Sequence, residues 1–165
     1  MAYFPNPVNK MEAAETKVSP TYYSAFYRHG VDEKRRVQRP SKWRPTVEGM
    51  EFTVILWPKA QEGLCLRVMP PQQMAALMRE LDAMPNSNPN KTVLKRFIGS
   101  RSVQVALDKA GRIVIPEEMA QAAGIVDEAV LVGLLDRFEI WSPASWEKVQ
   151  NSDAVMASEA FKLME

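Results

Sequence analysis

The sequence contains very few of the residues that cross-link or metallate a small fold. It has one cysteine, Cys65, and one histidine, His29. A lone cysteine cannot form an internal disulfide, and these two residues cannot supply the cysteine and histidine ligands of a zinc site. With 165 residues, 46% of them hydrophobic, the chain is long enough to fold around an ordinary core. We therefore expect no metal and no cofactor.

Long apolar runs are also missing. The longest, at residues 52–57, is much shorter than the roughly 18 residues that a membrane-spanning helix needs. The first residues, MAYFPNPVNKMEAAETK, lack the apolar core of a signal peptide. We therefore expect a cytoplasmic protein that does not bind membranes.

Sequence motifs of enzymes are absent as well. The chain has no P-loop, no dinucleotide-binding glycine motif and no cluster of carboxylates with metal-ligand spacing. Cys65 lies in the apolar run Leu64-Cys65-Leu66, and His29 lies on the apolar phase of a predicted strand. Neither has a neighbouring group that would activate it. We expect no catalytic residues and no small-molecule substrate.

Charge is distributed unevenly along the chain. The net charge of +1 combines two basic segments, residues 28–44 and 91–112 at +5 each, with two acidic segments, residues 45–90 at −2 and residues 113–165 at −7, while residues 1–27 are neutral. Two separate basic segments on an otherwise acidic chain favour contact with a polyanion. Two solvated surfaces without a partner are the alternative.

An internal repeat organises the sequence. Residues 32–40 read DEKRRVQRP and residues 108–116 read DKAGRIVIP, so both follow D-x-x-x-R-[VI]-x-x-P at a separation of 76 positions. Residues 68–74 match residues 140–146 at a separation of 72, so the first copy has four additional residues. The chain is therefore predicted to consist of two divergent copies of one unit.

Each copy has the pattern of a β-hairpin around its motif. Apolar residues alternate with polar ones before both motifs, at Tyr27, His29 and Val31 and at Val103, Val105 and Leu107. Gly111 suits a turn position with positive φ. Pro40 and Pro116 end the return strands, because proline cannot donate to a central ladder.

Further elements follow each hairpin. Strand pairs are predicted at residues 52–57 with 64–68 and at residues 129–134 with 138–141. Helices are predicted at residues 72–83, after Pro116 up to Gly124, after Pro143, and at residues 153–164. Residues 85–90 are predicted to be a linker. The apolar helix face formed by Met74, Leu77, Met78 and Leu81 is expected to need a partner.

These elements give a mainly β protein with short helices, in the α+β class. The predicted segments are a flexible extension (residues 1–20), repeat 1 (25–73), a helix and linker (74–101), repeat 2 (102–145) and a C-terminal helical segment (146–165). A four-stranded unit of this size leaves sheet edges open and buries little surface. The two copies are therefore expected to pack into one pseudo-dimeric, barrel-like body.

The repeated segments resemble a known family. Residues 24–36 and 106–116 resemble the two halves of the MraZ family, and residues 130–133 and 139–147 are similar to its second half. The resemblance covers residues 22–150 and implies two SpoVT/AbrB-like swapped-hairpin repeats that form a β-barrel. It also implies a transcriptional regulator, expected to be a repressor, of division and cell-wall genes.

The partners implied by the resemblance are double-stranded DNA, as promoter repeats, and further copies of the chain in a homo-oligomeric ring. A nucleoid-associated cytoplasmic location follows. An AbrB-like antitoxin and a ring-forming structural protein with weak DNA binding are the alternatives.

The motif arginines are the central candidates for DNA contact. Arg36 and Arg112 each follow an aspartate, Asp32 or Asp108, by four positions. A guanidinium in this position can brace the hairpin by pairing with the carboxylate, or it can bind a phosphate or guanine O6 and N7. Both roles are open at the level of the sequence, and we expect the aspartates to orient the turn.

Other basic residues are candidates for phosphate contacts, which add affinity without selecting a sequence. They are Lys34, Arg35, Lys109, Arg28 and Arg101, with Lys95 and Arg96. The residues expected to be structural within the motifs are Asp32, Asp108, Gly111, Pro40 and Pro116.

The first motif departs from the family pattern. It has Arg35 where the family has glycine, and Gln38 and Arg39 where the family has apolar residues. A non-glycine residue in a left-handed turn costs roughly 1 kcal/mol, so the first hairpin is predicted to have a different turn.

Overall fold

The computed structural model of the protein describes residues 22–43, 49–59 and 63–165, so the predicted extension at residues 1–20 lies outside the described residues. Within them the strands are β1 (Phe26–Gly30), β2 (Arg36–Gln38), β3 (Glu51–Lys59), β4 (Gly63–Met69), β5 (Ser102–Ala106), β6 (Arg112–Val114), β7 (Glu128–Gly133) and β8 (Phe138–Trp141). The helices are α1 (Pro71–Ala83), α2 (Pro89–Ser100), α3 (Glu117–Ala122) and α4 (Pro143–Phe161), and a 3₁₀ turn (Lys162–Met164) follows α4.

The strands form two antiparallel sheets. Six of them have the order β1-β7-β8-β4-β3-β5, and the other two, β2 and β6, form a two-stranded ribbon. The predicted mainly antiparallel architecture with short helices is confirmed. In the described part of the chain the larger sheet is open, with β1 and β5 at its edges. The swapped-hairpin barrel stays a prediction.

Pairing between the two copies dominates this arrangement. Every strand of the first copy pairs with a strand of the second. The pairs are β1 with β7, β2 with β6, β4 with β8, and β3 with β5. At the middle of the larger sheet, Arg67 lies opposite Glu139, its counterpart in the other copy. The β3–β4 hairpin has strands of nine and seven residues, whereas β7 and β8 have six and four. The additional residues of the first copy therefore lengthen this hairpin.

The main core lies between the larger sheet and the ribbon. Val37 and Ile113 point inward from the ribbon and are buried. Trp43 is also buried, and its indole N–H donates to the carbonyl of Ser24 at 2.8 Å. On the other side of the sheet, Trp141 packs in a second cluster with Val149 of α4. The ribbon is thus held on the body by its inward side chains.

Two predictions about the helices are wrong. The predicted linker is shorter, because Pro89 begins α2 and Asn88 caps it by accepting the amide of Asn90 at 3.0 Å. Asparagine and proline favour turns but also favour the first positions of a helix, and here Asn88 and Pro89 begin a helix. The two predicted C-terminal helices are one continuous helix, α4, because no glycine or proline follows Pro143 to interrupt it. Among the described residues, no helix is long and apolar enough to span a membrane.

Candidate nucleic-acid interface

The two motif turns have the same backbone hydrogen bonds. In the first turn, the amide of Asp32 donates to the carbonyl of Arg36 at 3.1 Å, and the amide of Arg35 donates to the carbonyl of Asp32 at 2.9 Å. The second turn repeats both bonds at 2.9 Å between the residues 76 positions later. Arg35 has a φ of 59° and Gly111 has a φ of 77°. The prediction of a different first turn is therefore wrong.

Contacts from the second copy explain why Arg35 adopts this conformation. The amide of Ile115 donates to the carbonyl of Arg35 at 2.9 Å, and Arg35 Nε donates to the carbonyl of Ile115 at 3.2 Å. Hydrogen bonds on both the backbone and the side chain offset the cost of a left-handed residue, which is about 1 kcal/mol.

The aspartate of the first motif organises its turn. Asp32 Oδ1 accepts the amides of Lys34 at 3.0 Å and of Arg36 at 2.8 Å, while Oδ2 accepts Arg36 Nε at 2.6 Å. The hydrogen bond from the Arg36 amide, helped by the Arg36 side chain and the Lys34 amide, holds the pKa of Asp32 below its usual value. The carboxylate is thus charged and engaged on both oxygens.

The second motif repeats this arrangement. Asp108 Oδ1 accepts the amides of Ala110 and Arg112, each at 2.9 Å, and Oδ2 accepts Arg112 Nε at 2.8 Å. The hydrogen bond from the Arg112 amide, with smaller contributions from the Arg112 side chain and the Ala110 amide, lowers the pKa of Asp108.

The motif arginines use only part of their guanidinium groups for these contacts. In the described part of the chain, Arg36 and Arg112 each bond the aspartate through Nε, and neither makes a hydrogen bond through an Nη atom. Their side chains are 28% and 33% exposed. Bracing and DNA contact are therefore compatible, because the carboxylate fixes the orientation of the guanidinium and leaves both Nη groups as donors.

The register of the ribbon brings both arginines to one face. Arg36 pairs with Val114, Val37 with Ile113 and Gln38 with Arg112. Because side chains alternate along a strand, Arg36, Gln38, Arg112 and Val114 share the face opposite the buried Val37 and Ile113. We call this face the ribbon face. Diagonal neighbours in such a ladder lie about 7–8 Å apart, and the major groove of DNA admits a two-stranded ribbon.

The unusual residues of the first motif contact the second turn. Gln38 Nε2 donates to the carbonyls of Ala110 at 3.2 Å and Gly111 at 3.4 Å, and the amide of Arg39 donates to the carbonyl of Gly111 at 3.2 Å. A Cβ at Gly111 would lie 3.2 Å from Arg39 Nη2. The sequence reasoning missed this role. The sequence does indicate this contact, because Gln38 and Arg39 are polar at positions that are apolar in the second copy.

The structure brings only some of the other predicted site residues to the turns. Lys34 and Lys109 are exposed within the two turns, next to the ribbon face. Pro40 and Pro116 follow the ribbon strands, and Pro116 directly precedes α3.

Arg28 and Arg101 lie elsewhere. Arg28 bonds Glu128 at 2.7 Å and shares a face of β1 with Phe26, whose ring lies 5.3 Å from that of Trp146 in α4. Arg101 lies at the end of β5 remote from the turn, about 17 Å away along the strand at the usual rise per residue. Its guanidinium lies over the Phe97 ring at 3.8 Å from the centroid. Arg28 therefore lies on the α4 side of the sheet, and Arg101 lies beside α2.

Cys65 lies in β4 and His29 lies in β1. Cys65 is buried, and burial, together with the charge of Glu139, raises the pKa of its thiol. A raised pKa keeps sulfur in the unreactive thiol form. The ring of half-buried His29 is stacked at 6.3 Å from that of Tyr27.

Comparison with known proteins identifies similar sequences over most of the chain. Residues 100–162 match the model of a family described as "MraZ protein, putative antitoxin-like". A transcriptional regulator MraZ of Clostridium acetobutylicum is 34% identical over 139 residues, which are 84% of this chain and 94% of the relative. The protein of the same name from Roseiflexus castenholzii is 33% identical over 84% of this chain and 94% of its own length. The one from Lactiplantibacillus plantarum is 30% identical, with 78% and 87% covered.

Proposed function

The chain belongs to the MraZ family, whose relatives are named transcriptional regulators, and from this we propose that it binds double-stranded DNA through the ribbon face. It acts as a sequence-specific repressor of division and cell-wall genes by occupying repeats in the DNA upstream of them. Because its target is chromosomal DNA, it works in the cytoplasm in association with the nucleoid.

One observation carries this proposal: two aspartate-braced arginines share the ribbon face. Arg36 and Arg112 each retain Nη donors, and their orientation is fixed before DNA binds. A bidentate contact from arginine to guanine O6 and N7 is the commonest specific contact in the major groove and provides about 1–3 kcal/mol of discrimination. Fixing a side chain in advance reduces the entropy that is lost on binding.

The other basic residues of the turns contribute affinity. Lys34, Arg35 and Lys109 lie within the turns, where they contact the phosphates that border the groove. Such contacts release counterions, so affinity depends strongly on salt. Arg28 lies on the α4 side of the sheet, where it is paired with Glu128, and Arg101 lies beside α2, so neither is assigned to the DNA at the ribbon face.

The assembled form presents several ribbon faces to successive repeats. Each chain contributes one pseudo-dimeric, swapped-hairpin barrel, and several chains form a homo-oligomeric ring. The pairing of strands between the two copies supports the first part, and exposed apolar helices support the second.

Binding of the purified protein to the DNA upstream of its own gene tests this function. Random DNA of the same length at the same salt is the matched control. We expect preferential binding to the upstream DNA and a loss of about 10³-fold or more in affinity between about 50 and 200 mM salt. Absence of binding at about 50 mM salt, or equal affinity for the two DNAs, would overturn the proposal.

An antitoxin is the second candidate, because the description of the family model includes that role. An AbrB-like antitoxin uses a long, poorly ordered tail to inhibit its toxin, whereas the described C-terminus is helical through Phe161. Deletion of the gene separates the two functions. Loss of an antitoxin arrests growth, whereas loss of a repressor raises target transcripts without arrest.

A further inference from the structure

The second half of α4 is apolar and uncovered. Val149 is the last buried residue of the chain. Beyond it, five large apolar side chains are between 65% and 87% exposed: Val155, Met156, Phe161, Leu163 and Met164. They are distributed around the helix, and a helix that is apolar on all sides is normally buried. We call residues 153–164 the α4 tail.

A second uncovered apolar surface lies on α1 and α2. No residue of α2 is buried. Val93, Leu94 and Phe97 of α2 and Met78 of α1 are 39% to 55% exposed. The two helices are joined by an ion pair of 2.8 Å between Lys95 and Asp82. We call these four apolar residues and the helices that carry them the α1–α2 surface.

The two surfaces have opposite charge. The two helices of the α1–α2 surface have four basic residues, Arg79, Lys91, Lys95 and Arg96, against two acidic ones, Glu80 and Asp82. The α4 tail contains Asp153 and Glu159 against one lysine, Lys162, and Glu165 follows it. Pairing either surface with its own copy would bring like charges together, whereas pairing one with the other brings opposite charges together.

DNA would account for only part of the α1–α2 surface. Its basic residues could bind phosphates, but phosphate contacts would leave Val93, Leu94 and Phe97 exposed to water. An apolar helix of net acidic charge would cover both the apolar and the basic residues. The α4 tail has this composition, and it is not covered within its own chain.

We propose that the α4 tail of one subunit docks on the α1–α2 surface of a second copy of the chain. The contact is head-to-tail, because each subunit offers one surface of each kind. Repetition of such a contact around a rotation axis produces a closed ring. The inference rests on the proposed oligomer and names the surfaces that build it.

Two double variants test the contact, one on each surface. The tail variant is Val155→Glu with Met156→Glu, and the surface variant is Val93→Glu with Phe97→Glu. All four side chains are exposed, so folding should be retained, as far-ultraviolet circular dichroism and binding to random DNA at low salt will show. Val126→Glu, at an exposed apolar residue between α3 and β7, is the matched control.

We expect light scattering to show an assembly larger than a dimer for the wild type and for Val126→Glu, and single chains for each double variant. Mixing the two double variants should give a one-to-one pair, because the tail variant retains an intact α1–α2 surface and the surface variant retains an intact tail. That pair cannot grow further.

Other results would overturn the inference in recognisable ways. If the surface variant keeps the wild-type assembly, the tail docks elsewhere; a simultaneous loss of DNA affinity would assign α2 to DNA. If both variants dissociate but do not pair when mixed, the contact is not head-to-tail. A wild-type monomer would overturn the ring together with this contact, and the comparison of upstream with random DNA would still test DNA binding separately.

Discussion

The two motif turns reach the same geometry with different residues. In the second turn Gly111 occupies the left-handed position, where a glycine has little strain. In the first turn Arg35 occupies it and is held by two hydrogen bonds to Ile115 of the other copy. Gln38 and Arg39 of the first copy hold the second turn in return. Each turn therefore depends on residues of the other copy of the motif.

Removal of the motif aspartates should have the largest effect on the stability of the two turns. Asp32→Ala and Asp108→Ala each remove the acceptor of two amides and of an arginine Nε. We expect both to lower the melting temperature and to reduce specific DNA binding roughly tenfold or more. Asp32→Ala should lower the melting temperature further, because its turn contains Arg35 rather than glycine. Equal melting temperatures for Asp32→Ala and Asp108→Ala would show that the first turn does not depend more on its aspartate than the second.

Substitution of Gly111 should be the next largest effect. Gly111→Ala places a Cβ 3.2 Å from Arg39 Nη2 at a φ of 77°, so we expect a loss of about 1–2 kcal/mol in the free energy of unfolding. Arg35→Gly is the reciprocal variant. It relieves strain and keeps the backbone bond to Ile115 but loses the side-chain bond, so its effect should stay within about 1 kcal/mol. Urea unfolding measures both, and a larger loss for Arg35→Gly would contradict this account.

Acid should weaken both turns together. The folded protein holds the pKa values of Asp32 and Asp108 below their usual value, so these carboxylates stabilise it above the unfolded pKa of about 4. This contribution is lost as the pH falls from about 4 through the lowered pKa values of the folded state. The double variant Asp32→Asn, Asp108→Asn should therefore have a flatter dependence of the urea midpoint on pH in that range. If the urea midpoints of the double variant and the wild type change equally with pH, the two carboxylates do not cause the loss of stability in acid.

Gln38→Val should have the smallest effect. It gives the first copy the residue type of its counterpart Val114 and removes the donor to Ala110 and Gly111. We expect a loss of roughly 0.5–1 kcal/mol in the free energy of unfolding. The control is Gln104→Val, at an exposed position in β5, which should change stability by less than about 0.5 kcal/mol. No difference between the two variants would show that Gln38 does not hold the second turn.

Structural features that depend on residues close together in the chain could be predicted from the sequence. Alternation before the two motifs predicted β1 and β5, and Gly111 predicted a turn with positive φ. Features that depend on distant residues could not. The turn at Arg35 is held by Ile115, which lies 80 positions away, and Arg28 is paired with Glu128, which lies 100 positions away.

The helix α2 was missed for a different reason. Asn88 and Pro89 favour both a turn and the start of a helix, and the sequence was interpreted as a linker. The apolar residues that follow, Val93, Leu94 and Phe97, lie at helical spacing and could have revealed it.

The central claim is that Arg36 and Arg112 bind bases through Nη while Asp32 and Asp108 hold Nε. Replacement by lysine tests it directly, because lysine keeps the charge but lacks the planar group that makes a bidentate contact. The measurement is the affinity of wild type, Arg36→Lys and Arg112→Lys for upstream DNA and for random DNA at one salt concentration. We predict that Arg112→Lys keeps its affinity for random DNA and loses about 1–3 kcal/mol of preference for upstream DNA. Arg36→Lys should also lose preference for upstream DNA, because its guanidinium is braced by Asp32 in the same way. Equal preference in all three proteins would contradict the claim and assign specificity to other side chains or to DNA shape.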